Sequence, residues 1–246
     1  KIELYIHIPF CKSKCRYCDF CSFRAEDTVI DDYITKLKEE LIFWGKKLTR
    51  EEVVTVFIGG GTPSYLKEQY IKEICNIIFR YFKVSENAEI TIEANPGTVD
   101  LKKLCTYRES GINRISFGLQ STIQEELQYL GRIHTYEQFL QCYNWAREAG
   151  FCNISVDLMS AIPKQTIHSY EKNLRTIAEL SPEHISAYSL IIEEGTPFYE
   201  DENLEDLLPS EEDEVRMYQM TAQILKEYGY EQYEISNYAK NGFESR

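Results

Sequence analysis

The chain has 246 residues, 43% hydrophobic and 27% charged, enough to bury the core of one large domain. Its net charge of −13 is partly local: nine acids and no base fall between Glu200 and Glu214, and the remainder carries −4, no electrostatic footprint for nucleic acid. No run of about 18 apolar residues predicts a transmembrane segment, and the opening KIELYIHIPFCK lacks the parts of a secretory signal, so a cytoplasmic protein is expected.

LYIHI (Leu4–Ile8) reads as a strand and is followed by CKSKCRYCDFC, four cysteines within eleven residues. Thr28–Leu48 has helical periodicity, with Ile30, Ile34, Leu37, Leu41 and Trp44 on one stripe. VVTVFIGG (Val53–Gly60) is a buried strand running into glycines, and Leu66–Phe82 is a helix. EITIEANPG (Glu89–Gly97) is a strand stopped by a strong breaker. A helix at Val99–Glu109, a strand at Asn113–Ser121 and helical pieces at Thr122–Leu130 and Tyr136–Ala149 follow. Asn153–Pro163 is a strand, Thr166–Leu180 a helix and His184–Pro197 a strand; Ser210–Tyr228 supplies a last helix and Tyr230–Ser236 a further strand. Six strand–helix units argue a parallel sheet, in a barrel-like α/β fold more open than a complete eight-unit barrel. Residues 1–200 are read as this barrel with an N-terminal cysteine loop. Residues 201–246 are read as its last helix and the start of a C-terminal region, which ends at NGFESR as a truncated segment would. The acidic run itself reads as a solvated loop and helix start.

The cysteines allow several readings. Eight in a cytosolic-looking chain do not suggest a disulfide frame, and Cys75, Cys105, Cys142 and Cys152 read as small buried hydrophobes. Cys11, Cys15 and Cys18 would share a helix face, but Pro9 precedes them and the intervening KSK and RY are not built to bury one. Structural zinc wants four ligands, commonly as paired C-x2–4-C elements; Cys18-x2-Cys21 could supply a fourth thiolate and His7 is nearby, but no second pair follows at finger spacing. A 4Fe–4S cluster on three cysteines leaves one iron open for a small molecule, and Lys12, Lys14 and Arg16 would favour thiolates.

Polar signals recur where strands end, the ligand-bearing edge of parallel α/β folds: Gly59–Pro63, Glu93, Asn95, Gln120 and Asp157. The GGGTP segment is neither a dinucleotide fingerprint nor a phosphate loop, and alone could be a tight turn. Carboxylates in apolar strands are costly unless bonded, so Glu93 and Asp157 either contact a ligand or pair with a cation such as Arg114 or Arg132. Gln120 and Arg132 are similar cases. His7 reads as a satisfied core histidine, and His134, His168 and His184 make no metal-like constellation.

YIHIPFCKSKCRYCDF, FIGGGTPSYL, TIEANPGT, INRISFGLQS, VDLMSAIPKQT, LIIEEGTPFY and YEISNYAKNGFESR, in that order, resemble the radical S-adenosylmethionine (SAM) proteins of the oxygen-independent coproporphyrinogen III oxidase family, most of all its HemW-type heme chaperones. The resemblance implies a partial (β/α)6 barrel with parallel strands. It implies that Cys11, Cys15 and Cys18 hold a 4Fe–4S cluster whose open iron binds SAM, which an electron can cleave to methionine and a 5′-deoxyadenosyl radical. It implies that Tyr5 packs by the cluster and that Gly60, Gly61 and Thr62 lie near the SAM amino group. Glu93, Gln120, Arg132 and Asp157 fall at SAM-contacting positions, and Ile191 near the adenine.

Two departures separate the chain from the oxidase. Phe20 stands where the oxidase has a further cysteine, and only ten residues precede Cys11, where the oxidase has a long segment. Both favour a heme chaperone over a porphyrinogen oxidase, leaving Cys21 a spare cysteine. Heme or porphyrin as cargo, a small electron-donor protein and acceptor hemoproteins are the implied partners. Peripheral membrane contact during heme delivery is implied too. The alternatives are coproporphyrinogen III oxidation and, from another class, a zinc-stabilised binding module.

Overall fold

The chain alternates strand and helix from end to end in a computed structural model that describes residues 1–246. The strands are β1 (Ile2–Ile8), β2 (Glu52–Gly60), β3 (Lys83–Ala94), β4 (Arg114–Gln120), β5 (Ile154–Ser160), β6 (His184–Ser189), β7 (Glu231–Glu234) and β8 (Asn237–Ala239). The helices are α1 (Asp27–Lys47), α2 (Glu68–Tyr81), α3 (Leu101–Glu109), α4 (Gln124–Tyr129), α5 (Tyr136–Glu148), α6 (Ile167–Leu180) and α7 (Glu211–Glu227). Strands β1 to β6 lie side by side in chain order, all parallel. The parallel sheet is as the sequence led us to expect, and the connecting helices pack into one core with it. β8 adds antiparallel to β6 and β7 to β8, so β1 and β7 are edges and the sheet does not close.

Side-chain alternation sorts the two faces. Ile6, Ile8, Ile58, Ile92, Ile115, Phe117, Val156 and Ile185 point to the helix side and join one core with Ile34, Ile74, Leu104, Phe139, Leu174 and Ile224. The intervening positions, among them Glu93, Arg114, Ser116, Asp157, Ser186 and Tyr188, point the other way and make the concave face polar. Capping boxes at Thr135–Gln138 and Thr166–Ser169 start α5 and α6 where the sequence suggested.

Three local expectations are corrected. The sixth strand ends at Ser189, not Pro197: Leu190 and Ile192 pack instead on a small satellite core of Leu130, Met159, Ile162, Phe198 and Leu204. The apolar run is real, but it serves a loop. The further strand expected at Tyr230–Ser236 is present as β7, Glu231–Glu234. β7 is exposed, and the turn after it carries the chain into β8, whose Tyr238 is buried. Trp44 is 45% exposed, its ring facing Lys47, because Gly45 takes the buried position on α1. Among the isolated cysteines, Cys75 and Cys142 are buried, but Cys105 is only partly so and Cys152 is exposed. No helix is long and apolar enough to cross a membrane.

Candidate functional site

The loop after β1 is closed at its base and clamped at its middle. Cys11 N–H donates to Phe23 O (3.0 Å) and Phe23 N–H to Pro9 O (2.8 Å), while the Phe10 ring meets Phe23 and Tyr33 edge-on. Arg16 N–H donates to Leu130 O, Phe198 N–H donates to Arg16 O, and the Arg16 guanidinium pairs with Asp201 at 2.8 Å. The charge of Arg16 is therefore spent on Asp201 rather than on the cysteines. Cys11 is buried, Cys15 and Cys18 partly so, and Cys21 exposed; all four are free thiols. Burial pushes the Cys18 thiol up, against a lowering by its hydrogen bonds and Lys14.

Beneath this loop the end of β2 passes in close contact. Gly61 N–H donates to Ile8 O and Thr62 N–H to Phe10 O, both at 2.8 Å. A Cβ on Gly61 would sit 3.0 Å from Cys11 Sγ, so glycine is what lets the two segments touch.

The loop and the strand ends enclose a cavity of about 610 Å³, within the usual range of ligand pockets. Its wall includes Cys11, Cys15, Cys18, Gly60, Gly61, Thr62, Glu93, Gln120, Arg132, Asp157 and Ile191. Eleven of the twelve residues singled out in the sequence thus share one site. Tyr5 is not in that wall: it is 59% exposed, its ring near-parallel to Phe57 and its hydroxyl 3.1 Å from His7 Nδ1. His7 is half-buried rather than a core residue; its Nε2–H donates to Cys21 O at 2.9 Å and ties β1 to the loop.

Each polar wall residue has a definable state. Glu93 Oε2 accepts from Gly60 N–H at 3.0 Å and Asp157 Oδ1 from Ser116 Oγ at 3.2 Å. Neither carboxylate has a cation within ion-pair distance, so the alternative of pairing with Arg114 or Arg132 is not realised. Burial, then the Asp157 charge, pushes Glu93 up to about 7; burial pushes Asp157 up to about 6. Gln120 adopts a positive φ of 76° at a break in the β4–β5 register, and its Oε1 accepts from Tyr188 OH at 2.9 Å. Arg132 donates through Nη1 to Cys15 Sγ (3.4 Å) and through Nη2 to Asn95 Oδ1 (2.9 Å) and Gly118 O, while its buried Nε has no partner. A Cβ at Gly118 would lie 2.8 Å from that Nη2, so the missing side chain makes room for the guanidinium.

The sequence reading did not assign Tyr17, Ser116, Met159, Ser186 or Tyr188, which also line the wall. Alternation in HISAYS could have found Ser186 and Tyr188, which lie on the same face as His184; Tyr17 carries no such signal.

No three His, Cys, Asp or Glu side chains converge as ligands of a single ion. A cluster asks for something else, a separate thiol for each of several irons. Three cysteines on one anchored loop, with Arg132 and Thr62 donating to two of the sulfurs, fit the donor set such a group needs.

The radical SAM superfamily profile matches residues 5–177. The heme chaperone HemW of Bacillus subtilis (strain 168) is 41% identical over 244 residues, covering 98% of this chain and 64% of its own. The heme chaperone HemW of Escherichia coli (strain K12) is 38% identical over 244 residues, covering 99% and 64%. Among solved structures, coproporphyrinogen III oxidase (HemN) from Escherichia coli, a radical SAM enzyme, superposes with a TM-score of 0.90 at 29% identity. That match covers 98% of this chain and 56% of the oxidase. The chain therefore spans less than two thirds of the length of the curated relatives it matches.

Proposed function

The chain belongs to the radical SAM superfamily, and from that premise we propose that it is the cluster- and SAM-binding part of a heme chaperone that carries heme to hemoproteins. One observation carries the reading: residues from the β1 loop, five strand ends and the Arg132 loop converge on one cavity, in which the buried carboxylates of Glu93 and Asp157 make no ion pair. Cys11, Cys15 and Cys18 would hold a 4Fe–4S cluster. Bound there, the cluster supplies a low-potential electron and an iron with no cysteine ligand, at which SAM can bind.

The chain's own residues do the rest. Glu93 and Asp157 offer negative charge in a partly desolvated wall, which suits the ammonium and sulfonium of SAM. Those charges would restore to both carboxylates the stabilisation that burial removes. Arg132 offers the one guanidinium to the SAM carboxylate. Because Tyr188 OH occupies Gln120 Oε1, the Gln120 amide N–H groups are free to donate to a ligand. Gly60 and Gly61 allow close backbone approach, Ile191 gives an apolar contact for the adenine, and Met159 and Tyr17 exclude water. Tyr5 acts from the side of the loop, through His7 and Cys21.

The heme-chaperone reading is supported by the names of the relatives and by Phe20, which stands in the cavity wall where the oxidase motif has cysteine. The superposition on the oxidase supports a second reading, coproporphyrinogen III oxidation. Anaerobic reconstitution of the full-length protein with iron, sulfide, SAM and heme separates them. Stoichiometric heme binding and transfer to an apo-cytochrome are expected. No heme binding, with formation of protoporphyrinogen from coproporphyrinogen III, would select the oxidase.

A further inference from the structure

Asn95, at the end of β3, holds two partners at once. Its Oδ1 accepts from Arg132 Nη2 at 2.9 Å, and its Nδ2 donates to Thr62 Oγ1 at 2.8 Å. An arginine can only donate, so the amide's orientation is fixed chemically. Each partner then reaches a cysteine. Arg132 Nη1 lies 3.4 Å from Cys15 Sγ, and Thr62 Oγ1 donates to Cys11 Sγ at 3.4 Å. The threonine hydroxyl has one proton. By occupying an oxygen lone pair, Asn95 leaves that proton for the sulfur. Asn95 is itself pinned: its N–H donates to Ser64 Oγ (3.1 Å) and its carbonyl accepts from Thr98 N–H (3.1 Å) and Thr98 Oγ1 (2.7 Å).

We propose that Asn95 is a positioning residue that sets the hydrogen bonds from Arg132 and Thr62 to two of the three cluster cysteines and so raises the potential of the cluster they hold. The inference rests on the cluster reading above. Hydrogen bonds to ligand sulfur draw electron density from it and favour the more negative, reduced state. Losing their alignment is expected to change the reduction equilibrium roughly tenfold, which for a one-electron couple is a fall of about 59 mV.

The test uses the full-length protein, reconstituted anaerobically, as wild type and as Asn95→Leu, which has similar volume and no hydrogen bonds to offer. Iron and sulfide are quantified, and the midpoint potential is then read by a redox titration followed by electron paramagnetic resonance. Retained cluster with a potential lowered by about that amount is expected. Thr62→Val should lower the potential in the wild-type background and lower it little further in Asn95→Leu. Full cluster at the wild-type potential, or strictly additive shifts, would overturn the proposal. If Asn95→Leu takes up no iron, Asn95→Ala carries the same test, and loss of iron from both would make Asn95 structural and overturn it. A wild-type protein that takes up no iron and sulfide fails at the cluster itself, a distinct result that sinks the functional reading.

Discussion

Gly61→Ala adds one carbon where three neighbours already lie within 3.0 Å. The new Cβ would lie 2.9 Å from Phe10 O, 3.0 Å from Ile8 O and 3.0 Å from Cys11 Sγ. Two of these neighbours are main-chain carbonyls, and Ile8 O is already accepting from Gly61 N–H at 2.8 Å, so neither can rotate away. Overpacking costs about 1–3 kcal/mol, and two immobile contacts put this site in the upper half, about 2–3 kcal/mol. For a chain of this size that is a fall in Tm of roughly 4–12 °C. The third contact displaces Cys11, a proposed cluster ligand, so iron uptake should fall as well. Thermal unfolding by circular dichroism and iron analysis after reconstitution measure both. Gly150→Ala is the control: its φ is +88° and no atom lies within 4 Å of the added carbon. It should cost about 1–2 kcal/mol in backbone strain and leave iron uptake intact. A Gly61→Ala protein with wild-type Tm and full iron would refute the claim that β2 must pass directly beneath Cys11.

The raised acids make opposite predictions for the ligand-free and SAM-bound forms. Glu93 at about 7 and Asp157 at about 6 hold protons in the folded state that the unfolded chain has already released. The fold therefore loses their contribution as pH rises from about 4 to about 7. Thermal unfolding of the ligand-free protein should show that loss, and Glu93→Gln should reduce it. A cationic ligand prefers both groups ionised, so calorimetry should find SAM binding tightening between about pH 6 and 8 in the wild type; Glu93→Gln should bind more weakly and tighten less. Tyr188→Phe leaves Gln120 Oε1 without its partner, and should weaken SAM binding about fivefold with cluster content unchanged. Arg16→Ala removes the pair to Asp201 and the contact over the Phe198 ring. It should cost about 1 kcal/mol and speed hydrogen exchange in residues 196–204, with no change there arguing against the clamp.

The site was legible where chemistry is local in sequence. The Cys11, Cys15, Cys18 spacing reports a loop, and Glu93 and Asp157 stand out because a carboxylate in an apolar strand needs a reason. Alternation then tells which strand faces are polar, because the period of two is imposed by the backbone. What the sequence concealed was pairing over distance. Arg16 sits beside the cysteines in the chain, but Asp201, 185 residues on, takes its charge; Arg132, 117 residues from Cys15, brings its own to the sulfur. Asn95 was visible as a strand-end polar residue, but its two partners belong to different loops. The overlong sixth strand and the misplaced Trp44 share a cause. Apolar periodicity says that a surface is buried, and packing decides against what.

The most direct test of the account is metal analysis and electron paramagnetic resonance of the anaerobically purified wild type beside Cys15→Ala. About four iron and four sulfide per chain, with a reduced-cluster signal that changes when SAM is added, and loss of both in Cys15→Ala, are the predicted result. Stoichiometric zinc without iron, or a Cys15→Ala protein that keeps the cluster, would contradict it.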